Sequence, residues 1–275
     1  MAKKEKKEVT NYGSALGEDI GHRLEIVINK IISEFLEDYP CHFLQETGYN
    51  PITKKTSKKL LLYDEYGTGY DVDGIITNES MQPLVLLESK YIRYKKHNRD
   101  KGSWICNTNK SLRNRYKSIR AAIAILAGSW SKTSVAMIES ADVSVILINF
   151  NTISDILRKY GIDFDWQEKN TPQISAAWYL YDKLSERKKM NIANKMADLV
   201  KDKLIGLLRD ILDDTKPRTI KRLTVEVLSS WGETSHESFD KREDAINYLE
   251  EFDLDKVFDS NGFYSIFDQV EYDDE

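Results

Sequence analysis

Apolar side chains recur along residues 14–35 at intervals of three and four positions, which is the spacing of one face of a helix. They are Leu16, Ile20, Leu24, Val27, Ile28, Ile31 and Phe35. The pattern predicts a first helix that begins at Ser14 or Gly17. Pro40 marks the end of this segment, because proline cannot continue a helix.

Two further apolar runs, residues 70–77 and 83–89, are separated by five mostly polar residues. A short polar connection of this kind favours an antiparallel hairpin. The second run ends in Glu88-Ser89-Lys90, and since strand side chains alternate, Glu88 and Lys90 point to the same face. Two charges at the end of an apolar strand need partners or water. They are well suited to hold a divalent metal ion beside an ammonium group.

The pattern then predicts a helix from Ser111 to Gly128, because the apolar residues of this segment recur at helical spacing. They are Ile119, Ala122, Ile123 and Leu126. Residues 143–150 are typical of a buried strand. Strand, helix and strand in this order predict a crossover onto one sheet.

After Pro172 the pattern is mainly helical, with one helix around residues 178–184 and a longer amphipathic one over 192–212. The β-branched alternation of residues 223–228 favours a strand. A final helix is predicted over residues 240–252. The fold class is therefore α/β (α+β), with a central mixed β-sheet flanked by helices and a mainly helical C-terminal part.

The composition predicts three regions. Residues 1–12 form a flexible lysine-rich arm, residues 13–170 the core, and residues 171–275 a C-terminal region that is either a second domain or part of the same one. Of the 275 residues, 41 % are apolar and 31 % charged, which is typical of a globular protein. No run reaches the roughly 20 apolar residues of a membrane helix, and the start lacks the apolar segment of a secretory signal. We therefore expect no membrane association and a cytoplasmic location.

Charge and cysteine content narrow the function classes. Cys41 and Cys106 match no metal-ligand spacing and no disulfide framework. The formal net charge of -5 conceals a basic block, because residues 90–132 contain twelve lysines and arginines against the single acid Asp100. A charge run is usually a solvated face, and we interpret the acidic chain end in that way. The basic block differs, since it begins at the Glu-x-Lys strand.

Phosphodiester hydrolysis requires an activated water and neutralisation of the charge that grows on the phosphate oxygens. One or two Mg²⁺ ions held by carboxylates meet these needs, because hard cations prefer oxygen ligands. Asp73 and Glu88 could supply the carboxylates, and Lys90 could assist the attacking water. The alternative is that these three residues form a structural ion pair at a sheet edge.

The residues Asp73 and Glu88-Ser89-Lys90, with the apolar run before the latter, resemble the active-site motif of the PD-(D/E)xK nuclease superfamily. The resemblance covers residues 14–150 and implies a restriction-endonuclease-like core, with Asp73, Glu88 and Lys90 as catalytic residues and Asp73 and Glu88 as metal ligands. Val72 stands where the motif often has proline, and Asp71 competes with Asp73 for the first position.

In many members of this superfamily a residue of the first helix joins the metal site. The resemblance therefore adds Glu18 and Glu25 as candidate metal ligands, with His22 on the same helix face at i, i+4 and i+7 spacing. The alternative for these three residues is an exposed helix face.

The resemblance also implies a function. Within the superfamily, the chain most resembles a type II restriction endonuclease. The resemblance therefore implies a sequence-specific enzyme that cleaves double-stranded DNA with Mg²⁺, acts as a homodimer and has a companion DNA methyltransferase. The alternatives are a structure-specific repair or recombination nuclease of the same superfamily and a non-catalytic DNA-binding protein on that fold.

The basic block supplies the candidate DNA contacts, since lysine and arginine bind phosphates and arginine can read guanine. These candidates are Arg93, Lys96, Arg99, Arg113, Arg115 and Lys117. His97 lies among them, but a lone histidine in a basic segment is more often a surface residue than a general base. Trp104 is expected to anchor this segment to the core.

Overall fold

The computed structural model describes residues 10–45, 49–50, 55–56, 60–167 and 170–259. The chain divides into two compact units, residues 1–212 and residues 213–275. Most of the arm expected at residues 1–12, and the acidic end of the chain, lie outside the described residues.

The described part of the first unit contains seven α-helices and nine strands. The helices are α1 (Tyr12–Phe35), α2 (Asn98–Arg115), α3 (Lys132–Ser140), α4 (Phe150–Arg158), α5 (Thr171–Asp182), α6 (Glu186–Asp198) and α7 (Lys201–Leu212). The strands are β1 (Cys41–Gln45), β2 (Tyr49–Asn50), β3 (Lys55–Thr56), β4 (Leu61–Tyr63), β5 (Gly69–Asp71), β6 (Gly74–Asn78), β7 (Pro83–Ile92), β8 (Ala121–Gly128) and β9 (Val143–Asn149). Short 3-10 turns span Leu36–Asp38 and Lys95–His97.

Five of these strands form one mixed sheet in the order β1-β6-β7-β8-β9. The pairs β1/β6 and β6/β7 are antiparallel, and β7/β8 and β8/β9 are parallel. Parallel neighbours need crossover connections, which α2 and α3 provide. The predicted fold class and the predicted hairpin of β6 and β7 are both confirmed.

Helices cover both faces of the sheet. One face packs against α1, α4, α5, α6 and α7, and the other packs against α2 and α3. Along β7, Val85 and Leu87 belong to the α1 side, whereas Leu86 belongs to the α2 side. By strand alternation, Glu88 and Lys90 point to the α2 side. The sheet therefore separates them from α1.

The first helix begins at Tyr12, because the Asn11 side chain accepts a hydrogen bond from the Ser14 main-chain N–H and caps the helix. This start lies two residues before the earlier of the two predicted positions. The predicted apolar stripe is buried from Leu16 to Ile31. The helix and its buried face are therefore as the sequence predicts.

The helix predicted from Ser111 to Gly128 is wrong. Helix α2 begins earlier, at Asn98, and ends at Arg115, while residues 121–128 form the strand β8. All of β8 except Ala121 is buried, since helices cover both faces of the sheet at this strand. A strand buried on both faces shows a continuous apolar run without alternation, and such a run also contains helix-like spacings.

The C-terminal helices of the first unit also differ from the prediction. The single helix expected over residues 192–212 is two helices, α6 and α7, with a turn at Leu199 and Val200. Helices α5, α6 and α7 share the apolar core of α1. For this reason the division between units falls after Leu212 and not near residue 170.

The second unit contains β10 (Leu223–Leu228), β11 (Thr234–Phe239), α8 (Arg242–Glu250) and α9 (Leu254–Val257) within its described residues. The strands β10 and β11 pair as an antiparallel hairpin. Strand β10 and helix α8 are expected from the sequence, whereas β11 is not, because Thr-Ser-His-Glu-Ser-Phe has no apolar alternation. Across both units, none of the described helices combines the length and the hydropathy needed to cross a membrane.

Candidate active site

The first predicted site residue lies at an interruption between two strands. Strand β5 ends at Asp71 and β6 begins at Gly74. Between them the Val72 main-chain N–H donates to the carbonyl of Leu60 at 3.0 Å. This interruption leaves Asp73 beside the end of β7, where its Oδ2 accepts a hydrogen bond from the Ser89 main-chain N–H at 2.8 Å.

Asp73, Glu88 and Lys90 come together as the sequence predicts. The Lys90 Nζ lies 2.5 Å from Asp73 Oδ2 and 2.7 Å from Glu88 Oε2. The side chains of Asp73 and Lys90 are 23 % and 20 % exposed, whereas that of Glu88 is 7 % exposed. The cluster therefore has two members open to solvent and one carboxylate beneath them.

The carboxylate of Glu88 is under-satisfied. Both of its oxygens are buried; the Lys90 ammonium lies 2.7 Å from Oε2, and apart from it neither oxygen accepts a hydrogen bond within the described residues. Burial raises the pKa of Glu88 to about 7, with Lys90 acting in the opposite direction and Asp73 raising it further. Glu88 is thus a buried acid without full compensation of its charge.

Lys90 is the cation of the cluster. Burial alone would lower its pKa, but the carboxylates of Glu88 and Asp73 outweigh burial and raise the pKa above the usual lysine range. The ammonium form is therefore stable at neutral pH. Two carboxylates against one ammonium give the cluster an excess of negative charge whenever Glu88 is ionised.

The geometry distinguishes Asp73 from its competitor Asp71. Asp71 is the last residue of β5 and pairs with Leu61 in the neighbouring strand. Asp73 is the acid that contacts Lys90 and Ser89. The cluster consequently contains Asp73, in agreement with the position preferred from the sequence.

The acids of α1 do not join this cluster. Within the described residues, no group of three or more His, Cys, Asp or Glu side chains lies close enough to hold a metal ion, so Glu18 and Glu25 are not added to Asp73 and Glu88. His22 Nδ1 and Glu25 Oε2 lie 4.0 Å apart. Helix α1 packs on the opposite face of the sheet, which corrects the expectation that Glu18 and Glu25 are metal ligands.

The glycines of α1 have a different role, which the sequence pattern did not reveal. A Cβ on Gly17 would lie 2.8 Å from the ring of Tyr91, and a Cβ on Gly21 would lie 3.0 Å from the Cβ of Tyr91. Tyr91 directly follows Lys90 and points to the α1 side. The signal in the sequence was two glycines four positions apart within a helix, a spacing that allows close approach of a neighbouring element.

Arg93 is held inside the protein rather than presented to a ligand. Its Nη2 donates to the carbonyls of Phe164 and Trp166 at 2.9 and 3.1 Å, and its guanidinium lies 4.2 Å from the ring centroid of Phe150. Burial lowers the pKa of this guanidinium. Arg93 thus ties the end of β7 to residues 164–166, which corrects its assignment as a phosphate contact.

The other predicted DNA contacts fall into two groups. Arg115 donates to the carbonyl of Asp64 at 2.6 Å, and Arg113 donates to the carbonyls of Arg120 and Asp142 at 3.2 and 3.4 Å. These two arginines help to hold the C-terminal end of α2. Arg115 is nevertheless exposed, and so are Lys96, Arg99, Lys117 and the neighbouring His97.

Comparisons with known proteins add little. No family model matches the chain. No curated protein matches it either. Among solved structures, the chain is similar to the crystal structure of AF1548, a protein of unknown function, with 10 % sequence identity, coverage of 66 % of this chain and 98 % of that chain, and a TM-score of 0.29. Likeness at that score says nothing about activity, so the function has to be inferred from the site.

Proposed function

We propose that this protein is a Mg²⁺-dependent endonuclease that cleaves double-stranded DNA, with Asp73, Glu88 and Lys90 as its catalytic residues. The observation that carries the proposal is the carboxylate of Glu88, which is buried beside Asp73 and has an oxygen without a hydrogen-bond partner among the described residues. Buried polar atoms are normally satisfied, and a buried carboxylate oxygen that lacks a protein partner is well suited to ligate a divalent cation.

The donor set fits magnesium. Asp73 and Glu88 offer hard carboxylate oxygens, and one or two carboxylates are the usual protein contribution to a Mg²⁺ ion that keeps several waters. When bound, the ion would polarise the phosphate and lower the pKa of a water. The main-chain N–H of Ser89 fixes one oxygen of Asp73, which orients the carboxylate for this task.

Lys90 has a separate role in this proposal. Its ammonium is partly exposed, so a phosphodiester could reach it, and its raised pKa keeps it charged at neutral pH. A fixed cation at this point stabilises the charge that develops on the phosphate oxygens and orients the attacking water. Because Lys90 and Glu88 lie on the same strand, their relative position is fixed by the strand and does not depend on a loop.

The finer assignment is a sequence-specific type II restriction endonuclease that acts as a homodimer beside a companion DNA methyltransferase. It is supported by the resemblance of Asp73 and Glu88-Ser89-Lys90 to that enzyme class. Such an enzyme gives a fixed set of fragments from DNA of known sequence, whereas a structure-specific nuclease leaves an intact duplex without discrete cuts.

The direct test is cleavage of supercoiled plasmid with and without Mg²⁺. We expect nicked and linear products only with the metal, and at least a roughly 100-fold loss of rate in Asp73→Asn and Lys90→Met. Asp71→Asn is the matched control, since it removes the same charge two residues away and should cleave like the wild type. Equal cleavage by all four proteins would refute the assignment of the site.

A second readout does not depend on activity. A ligand that binds only the folded state raises the free energy of unfolding with its concentration. Millimolar Mg²⁺ should therefore raise the melting temperature of the wild type and leave that of Glu88→Gln unchanged. If the cluster is only a structural ion pair, Mg²⁺ will shift neither protein and Glu88→Gln will be the less stable of the two.

A further inference from the structure

The hairpin of the second unit has one covered face and one exposed face. The ring of Phe239 on β11 lies 5.3 Å from that of Tyr248 on α8, so α8 covers the face that Phe239 shares with its partner Leu223. The side chains of the other face are exposed on both strands. The cross-strand pairs of this exposed face are Thr224 with Ser238, Glu226 with His236 and Leu228 with Thr234.

The exposed face is rich in groups that donate and accept hydrogen bonds. The hydroxyls of Thr224 and Ser238 lie 3.3 Å apart, and His236 Nδ1 lies 3.6 Å from Glu226 Oε2. Hydroxyl, imidazole and carboxylate groups can each pair with the edge of a base. A two-stranded ribbon with such a face is of a size that the major groove of DNA admits, at about 12 Å wide.

Four basic residues flank one end of this hairpin. Lys221 and Arg222 precede β10, and Lys241 and Arg242 follow β11. Because Leu223 pairs with Phe239, the antiparallel register brings the two basic pairs to the same end, where all four side chains are exposed. Asp240 lies among them. Arg242 is the first residue of α8, and the acids Glu243 and Asp244 follow it in the same turn.

The opposite end of the hairpin is apolar. The side chain of Trp231 is 87 % exposed at the turn, and that of Leu228 is 68 % exposed beside it. The turn itself is fixed, because the main-chain N–H groups of Ser229 and Gly232 donate to the carbonyls of Glu233 and Ser229, respectively. Trp231 and Leu228 together give this end of the hairpin an exposed apolar surface.

We propose that the β10–β11 hairpin is a DNA-binding ribbon that inserts its exposed face into the major groove of double-stranded DNA. Thr224, His236 and Ser238 contact base edges, Lys221 and Lys241 bind phosphates at one end, and Trp231 packs against the groove at the other. The inference rests on the proposed nuclease function only in that both have duplex DNA as ligand. In this proposal, DNA is recognised by the hairpin and cleaved at the cluster of Asp73, Glu88 and Lys90.

The experiment measures duplex binding by the full chain in EDTA, where a Mg²⁺-dependent enzyme cannot cut. The probe is a fluorescein-labelled duplex of about 30 base pairs and mixed sequence, followed by anisotropy at several NaCl concentrations. Each lost phosphate contact lowers the slope of log affinity against log salt by about 0.9. The double variant Lys221→Ala/Lys241→Ala should therefore bind at least about 10-fold more weakly, with a slope smaller by about 1.8. The control Lys183→Ala/Lys201→Ala removes two exposed lysines of the first unit and should bind like the wild type.

A second variant separates base reading from phosphate binding. Thr224→Val/Ser238→Ala removes both hydroxyls of the exposed face and no charge. It should keep the salt slope of the wild type and lose preference among duplexes selected from a random pool. A reduced slope would contradict the assignment of these residues to base edges.

The outcomes for the ribbon and for the nuclease are independent. If Lys221→Ala/Lys241→Ala binds duplex with the affinity and slope of the wild type, or if the wild type binds no duplex in EDTA, the ribbon proposal is overturned whether or not the chain cleaves DNA. If the two lysines control binding but no Mg²⁺-dependent cleavage occurs, the ribbon stands and the nuclease proposal falls.

Discussion

Replacing Gly17 by alanine tests whether α1 positions the strand that carries Lys90. A Cβ at Gly17 would lie 2.8 Å from Tyr91 Cε1 and 3.5 Å from Cδ1. Carbon atoms pack comfortably at about 3.5–4.0 Å, so the ring or the helix must move by several tenths of an ångström up to about 1 Å. The Tyr91 hydroxyl is buried, which leaves the ring little room to turn away.

The expected magnitude follows from two opposing terms. Overpacking of this kind costs about 1–3 kcal/mol. Alanine in place of glycine within a helix gains about 1 kcal/mol of helix propensity. At Gly206, within α7, an added Cβ would meet no atom within 4 Å, so Gly206→Ala should show the gain alone. The free energies of unfolding of Gly206→Ala and Gly17→Ala, each taken relative to the wild type, should therefore differ by about 1–3 kcal/mol, which is the cost of contact with Tyr91.

Urea unfolding of the two variants measures this difference. In a Tyr91→Leu background, which lacks Cε1, the cost of Gly17→Ala should fall by at least about 1 kcal/mol if the contact is its cause. Since Tyr91 adjoins Lys90, Gly17→Ala should also slow Mg²⁺-dependent cleavage, by up to about 100-fold for a displacement of about 1 Å. Contact with Tyr91 is not the cause if Gly17→Ala is as stabilising as Gly206→Ala, or equally costly with and without the tyrosine.

Three further predictions concern stability. Tyr91→Phe removes a buried hydroxyl without a partner among the described residues, so it should raise the free energy of unfolding by about 1 kcal/mol; a decrease in urea unfolding would reveal a partner for that hydroxyl. Gly128→Ala should prevent accumulation of folded protein, because φ at Gly128 is +100° and an added Cβ would overlap a main-chain carbonyl of β7. Gly161 has a φ of +76° but open surroundings, so Gly161→Ala should cost only about 1–2 kcal/mol. Similar melting temperatures for the two variants would contradict this. Although burial alone would raise the pKa of Asp19, its hydrogen bond from Arg23 lowers it, so the stabilisation is present above the usual carboxyl range and is lost as pH falls through the folded pKa. Asp19→Asn should therefore cost about 1–3 kcal/mol at about pH 7, and this cost should shrink as the pH is lowered below the usual carboxyl range; a gap in melting temperature that does not change with pH would count against it.

The cluster of Asp73, Glu88 and Lys90 was predictable because it depends on local rules. Alternation along β7 places Glu88 and Lys90 on one face, and a hairpin brings Asp73 to the neighbouring strand whatever the rest of the chain does. The buried face of α1 follows from helical spacing in the same way. The sequence could also place the acids of α1 on one helix face. It could not say which face of the sheet α1 would cover, since that depends on contacts distant in the sequence.

Other features depended on tertiary structure and could not be foreseen. The strand β8 is buried on both faces, which removed the alternation that would have identified it. Arg93 lies in a basic segment and resembles a phosphate contact, yet the carbonyls of Phe164 and Trp166, far along the chain, engage it. An arginine is available to a ligand only if its guanidinium is not already used, and that is decided by folding.

The proposed metal site is favoured over a structural ion pair by the charges of the cluster, which do not balance. A structural pair satisfies each buried oxygen, since an uncompensated buried charge is costly. Here one ammonium faces two carboxylates, and Glu88 is buried with an oxygen that no described residue binds. A site for a divalent cation, in contrast, needs an excess of negative charge and a carboxylate oxygen that can coordinate the ion. If the cluster binds a cation, its metal-free form is strained by this excess of negative charge, and glutamine at position 88 would relieve the strain. Without Mg²⁺, Glu88→Gln should therefore be more stable than the wild type if the cluster is a metal site and less stable if it is a structural ion pair, so urea unfolding separates the two explanations by sign and not only by size.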